Sequence, residues 1–115
     1  MNLVRDAKGV LYAGFTAYSP ISGAWPAYYA TCTSHCGLAA NWTTVIVADV
    51  GAFGGYTRVA VDSAGHPSLM WYSQASVSGT GTFYYAECAS SCAIASSWIS
   101  TPVFSSSLRP DNSRY

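Results

Sequence analysis

The sequence predicts an all-β fold of two tandem four-stranded antiparallel units, and three observations predict it. The chain matches itself at an offset of 56 residues, its apolar residues follow strand rather than helix spacing, and turn-forming clusters interrupt them at short intervals. At that offset residues 5–47 fall on 61–103 without a gap, and 13 of the 43 positions are identical. The identities include Asp6/Asp62, Gly9/Gly65, Cys32/Cys88, Cys36/Cys92 and Trp42/Trp98, together with Tyr28-Tyr29-Ala30 on Tyr84-Tyr85-Ala86. Self-similarity at such a period marks a repeat architecture in which each copy is one supersecondary unit. Residues 1–50 form the first unit, 51–104 the second, and 105–115 a polar tail holding Arg109 and Arg114.

The elements follow in order. Each unit opens with a short strand, 3–6 in the first and 56–62 in the second, ending in Asp6 or Asp62. Glycine three residues later, Gly9 or Gly65, suits a tight turn in which the Asp side chain bonds the backbone and Gly takes positive φ. The second strands are 11–18 and 67–74. Loops 19–26 and 75–81, rich in Ser, Gly, Pro and Thr, follow them. The aromatic and β-branched third strands are 27–32 and 82–88, and the fourth are 41–47 and 97–104.

A sheet wet on one side should alternate polar with apolar residues. Here Leu11, Ala13, Phe15 and Ala17 lie on one side of a strand with Tyr12 and Tyr18 on the other, and Leu69 and Trp71 oppose Met70 and Tyr72. Both faces of each sheet are therefore expected to be covered.

Composition points the same way. Half the residues are apolar and 15% aromatic, but only 9% are charged, against about 25% in an average soluble domain. Formal net charge is zero and only five residues are Lys or Arg, so no basic stripe exists for a nucleic acid. No apolar run approaches the roughly 18 residues of a membrane helix. A surface so poor in charge calls for a partner to cover it.

Cys32-x-x-x-Cys36 and Cys88-x-x-x-Cys92 each bracket a three-residue turn after the Tyr-Tyr strand. Opposed strand positions lie about 4.5–5.5 Å apart, within disulfide range, and we favour two local disulfides. Reduced thiols and a four-cysteine zinc site are the alternatives. The two pairs recur on separate units, which argues against one shared ion, so no metal or other cofactor is expected. Disulfides imply an oxidising compartment, whereas the opening Met-Asn-Leu-Val-Arg-Asp lacks the apolar core of a signal peptide.

Taken together, Asp-x-x-Gly, an apolar strand, a Tyr-Tyr strand and a Trp on an outer strand resemble the repeats of bacterial sialidase-like and related secreted β-propellers. An Asp-box of that family reads Ser-x-Asp-x-Gly-x-x-Trp, and Asp62-Ser-Ala-Gly65 has one more residue between Asp and Gly. The resemblance implies blades, four-stranded sheets packed on neighbours by both faces. Two blades cannot close a ring of the usual four to eight or so. Head-to-tail assembly into a cyclic homo-oligomer would close it, with a trimer preferred over a tetramer. A face-to-face sandwich and a section of a longer propeller are the other arrangements.

Nothing in the sequence gathers an acid, a base and a nucleophile. Asp6 and Asp62 are accounted for by turns, Glu87 stands where the first unit has Thr31, and His35 and His66 are unmatched between copies. A non-catalytic binding or scaffold module is the expectation, with a carbohydrate or peptide as its ligand class and Trp25, Tyr18 and Tyr72 as candidate contacts. The alternative is a sialidase-like glycoside hydrolase with a site assembled between protomers.

Overall fold

Among the described residues, eight strands form two four-stranded antiparallel sheets, each a meander. The structure, a computed structural model, describes residues 2–21, 23–49, 55–74 and 81–106. The first sheet holds β1 (Asn2–Arg5), β2 (Leu11–Thr16), β3 (Pro26–Cys32) and β4 (Thr43–Asp49) in that order. The second holds β5 (Gly55–Val61), β6 (Pro67–Ser73), β7 (Gly81–Cys88) and β8 (Trp98–Ser106), also in order. Strands adjacent in sequence are adjacent in the sheet, so local turns set the topology.

Those turns use the same chemistry twice. Asp6 Oδ1 accepts hydrogen bonds from the backbone N–H groups of Lys8 and Val10, both at 2.9 Å. Asp62 Oδ1 accepts from Ala64 at 2.9 Å and His66 at 2.8 Å. Gly9 and Gly65 both sit at φ +85°, the left-handed region that a side chain disfavours. Both cysteine pairs close on themselves, Cys32–Cys36 and Cys88–Cys92, each with Cα atoms 5.8 Å apart. All four sulfurs are thereby committed to disulfides, and a four-cysteine zinc site is ruled out.

Two boundaries differ from expectation for local reasons. β2 ends at Thr16 rather than 18, because the loop beyond folds back on itself: Ser19 N–H donates to Ala24 O at 2.9 Å and Gly23 N–H to Ser19 O at 2.8 Å. The fourth strands start after single 3₁₀ turns, Ala39–Asn41 and Ala95–Ser97, that occupy the expected strand starts at 41 and 97. The loop expected at 75–81 lies outside the described residues except for Gly81, and the tail outside them from residue 107.

The sheets stack face to face around one core. Tyr12, Ala27 and Tyr29 of the first sheet meet Val59, Leu69, Trp71, Ala86, Cys88 and Trp98 of the second. The rings of Tyr29 and Trp98 lie 5.0 Å apart at 58°. Asn2 clasps the Val59 backbone, its Nδ2 donating to Val59 O at 2.8 Å and its Oδ1 accepting from Val59 N–H at 2.6 Å. Thr16 and Thr57 share a hydroxyl hydrogen bond of 2.6 Å. At Gly14 the backbones approach so closely that a Cβ would lie 2.9 Å from Val59 N, which is why this position tolerates no side chain.

The faces that meet are opposite faces of the repeated unit. The first sheet offers Tyr12, Gly14 and Tyr29. The second offers Leu69 and Ala86, cross-strand partners whose counterparts 56 residues earlier, Ala13 and Ala30, lie on the far face of the first sheet.

Candidate functional site

Stacking opposite faces leaves one face of each sheet uncovered. On the first sheet the uncovered face carries Leu3 and Arg5 from β1 and Ile46 from β4, all exposed. On the second it carries Arg58, Met70, Tyr85, Glu87 and Ile99 on four successive strands. Met70, Tyr85 and Ile99 are exposed, the last at 70%.

The second of these faces contains a hollow of about 600 Å³ beside the Asp62 turn. Asp62, His66, Ser68, Tyr85 and Glu87 supply its polar wall, with Ala60 and Ile99 among the apolar ones. β5 and the following turn bring Asp62 and His66 there, β6 brings Ser68, and β7 brings Tyr85 and Glu87 two residues apart on one face. His66 Nδ1 lies 3.2 Å from Asp62 Oδ2, and Tyr85 OH donates to Glu87 Oε2 at 3.3 Å. The Asp62 carboxyl is held below the ordinary carboxylate range, chiefly by the His66 backbone N–H and then by that of Ala64, against an opposing push from desolvation. Two carboxyl side chains, an imidazole, a phenol and a hydroxyl on an open wall suit a cationic or hydrogen-bonding group.

The corresponding place in the first unit is filled. Tyr12 stands where the second unit has Ser68, and its OH donates to Asp6 Oδ2 at 3.0 Å. Burial first, and then the Asp6 carboxylate, push the Tyr12 phenol up to about 12. Desolvation pushes Asp6 upward, but hydrogen bonds from Val10, Tyr12 and Lys8 outweigh it and hold the carboxyl low. Ser68 ends far short of that reach, and the hollow follows from its size.

The residues singled out from sequence are distributed differently. Tyr18 and Trp25 come together at the loop after β2, edge to face with ring centroids 5.5 Å apart, and both are exposed. Tyr72 is wholly buried, its ring 4.9 Å from that of Phe83 and against Gly81, so it is not exposed alongside them. Ser68 and Glu87 carry no motif. Glu87 is marked by a mismatch, replacing Thr31 between the matched pairs Ala30/Ala86 and Cys32/Cys88, whereas Ser68 replaces Tyr12 in a stretch, 10–18 on 66–74, where the two units share no identity and nothing singles it out. Compared with known protein families, curated proteins and solved structures, the chain matches no family model, no curated protein and no solved structure.

Proposed function

We propose that the chain is a non-catalytic binding or scaffold module of propeller type, two blades that are completed by head-to-tail stacking on further copies of themselves. One observation carries the reading. Tyr29 and Trp98 meet between the two sheets, while their counterparts, Tyr85 and Trp42, lie on opposite uncovered faces. Tyr29 is 3% exposed and Tyr85 39%. A second copy stacked in the same sense would bring its Trp42 onto Tyr85 and cover both. Joining opposite faces of the two units is the geometry of a heterologous contact, and the same contact repeated from copy to copy runs on until it closes. Burying the free apolar faces at about 25 cal/mol per Å² supplies the drive.

Three copies, giving six blades, are preferred to four. The exposed Tyr18–Trp25 pair, edge to face, offers aromatic surface for a carbohydrate or peptide. The sialidase-like reading draws on Asp62 and Glu87 lining one hollow; Asp62, held ionised by its turn, is unsuited to act as the general acid that chemistry needs. Light scattering on a size-exclusion column tests the assembly. The expected mass is three times the 12.1 kDa of the chain, and a monomer at every concentration would overturn the reading.

A further inference from the structure

We infer that the hollow on the free face of the second sheet is a socket for Arg5 of a second copy. The inference rests on the head-to-tail reading and names the contact that gives that interface its specificity. Inside one chain, Val61 lies in a cleft shared with Val4, Arg5 and Asp6 of the first sheet. Moved on by one unit, Val61 becomes Arg5 of the second copy, and Val4 and Asp6 become Ala60 and Asp62 of the first. Arg5 of the second copy therefore arrives at the rim of the hollow, which Ala60, Val61 and Asp62 line.

Three replacements between the internal contact and the external one then fit each other. The short Val61 becomes the long Arg5; the bulky Tyr12 becomes the small Ser68, which makes the room; and the neutral Thr31 becomes Glu87, which supplies negative charge at the end of the hollow. A guanidinium presents five donors in a planar fork and pairs with carboxylates in two-pronged fashion. Asp62 and Glu87 line the hollow, whereas Arg5 is exposed on its own chain and joins no ion pair among the described residues. Arg58 shares the face, at the position where Asn2 clasps the Val59 backbone in the internal contact. Asp6 of the second copy follows Arg5 toward Asp62, a like charge that makes the Arg5 pairing the more necessary.

Met70 occupies the Gly14 position. The close backbone approach at Gly14 is thus unavailable outside, and the external contact is wider there. A long side chain reaching across a wider gap is what Arg5 provides. The internal contact, with Val61 and Tyr12, and the external one, with Arg5 and Glu87 in their places, also differ enough to tell the two surfaces apart during assembly.

A charge swap tests the pairing. Arg5→Glu and Glu87→Arg should each weaken association by roughly tenfold or more, and the double variant should recover most of the loss, all read as molar mass against concentration by light scattering. Near-UV circular dichroism of the dissociated variants checks that each still folds; if a charge reversal unfolds the chain, Arg5→Gln and Glu87→Gln replace it, each expected to weaken assembly in the same direction. Wild-type assembly that survives both single changes overturns the socket and leaves the head-to-tail reading standing. Loss in both single variants without recovery in the double also overturns it. A wild-type chain that never associates overturns both.

Discussion

The two sheets share strand order, Asp turns, disulfides and an outer tryptophan whose indole N–H donates to a cysteine carbonyl, Trp42 to Cys36 at 2.8 Å and Trp98 to Cys92 at 2.9 Å. They differ in what covers them. Trp98 is buried under Tyr29, whereas Trp42 is only half-buried. The same residue in the same local frame is core in one copy and surface in the other. Local sequence therefore builds the four-stranded sheet, and what packs against each face decides the energetic weight of each side chain.

The tyrosine pair gives the largest break in that comparison. Tyr29→Ala empties the middle of the shared core and is expected to cost about 3–5 kcal/mol. That is a large share of the roughly 5–15 kcal/mol of a typical domain. Tyr85→Ala, at the matching position, is expected to stay within about 0.5 kcal/mol for the single chain and, on the proposed head-to-tail stacking, to weaken association instead. Urea unfolding at a concentration where the chain is monomeric separates the two, and equal losses would remove the distinction between the faces.

A smaller effect comes from the neighbouring position. Gly14→Ala places a Cβ against the Val59 nitrogen, the Arg58 carbonyl carbon and a Leu69 methyl at 2.9–3.0 Å. Two of those are backbone atoms of a paired strand, which cannot swing aside, so a loss of about 1–3 kcal/mol is expected. Met70→Ala removes a side chain already 36% exposed and should cost the dissociated chain less than about 1 kcal/mol. Thermal unfolding of both variants reads the difference. A benign Gly14→Ala would mean that the sheets stand further apart than the Asn2–Val59 clasp holds them.

Much of this fold was legible in the residues. Asp6 and Gly9, repeated as Asp62 and Gly65, announce their turns because an Asx turn and a left-handed glycine are local chemistry. Cys32 and Cys36 do the same, since four residues of chain leave them little choice of partner. The 3₁₀ turns were not legible: the bonds that close them run from the backbone N–H of Trp42 to Ala39 O and from that of Trp98 to Ala95 O, and such backbone bonds leave no mark on residue type. The pairing of faces was not legible. Strands apolar on both sides lead to the expectation that both faces are covered, whereas one face of each sheet is open here; they do not say which faces meet, and that choice depends on residues such as Gly14 that act across 40 or more positions of chain. The hollow was hidden for a related reason: it is made by what Ser68 lacks, and an absence has no motif.

The smallest difference between the units is electrostatic, and it has a sign in pH. Tyr12 is neutral in the fold with its titration pushed up to about 12, above the ordinary 10.0. A raised value means that its contribution is complete below pH 10 and is lost as pH rises toward 12. Asp6 and Asp62 behave oppositely. Both lie below the ordinary 3.8, so their contributions are present above that pH and fade as pH falls through the depressed values. Both units thus weaken in acid, but only the first has an alkaline limb here, because Ser68 has no phenol to ionise beside Asp62. Tyr12→Phe should flatten the alkaline arm of a stability–pH curve and remove one late-titrating tyrosine from the tyrosinate absorbance, while the acid arm keeps its direction through Asp6 and Asp62. If the late phase persists in Tyr12→Phe, it belongs to another phenol. Tyr29, also raised by burial, is the one to change next, and the contrast between a filled first unit and a hollow second would then rest on packing alone.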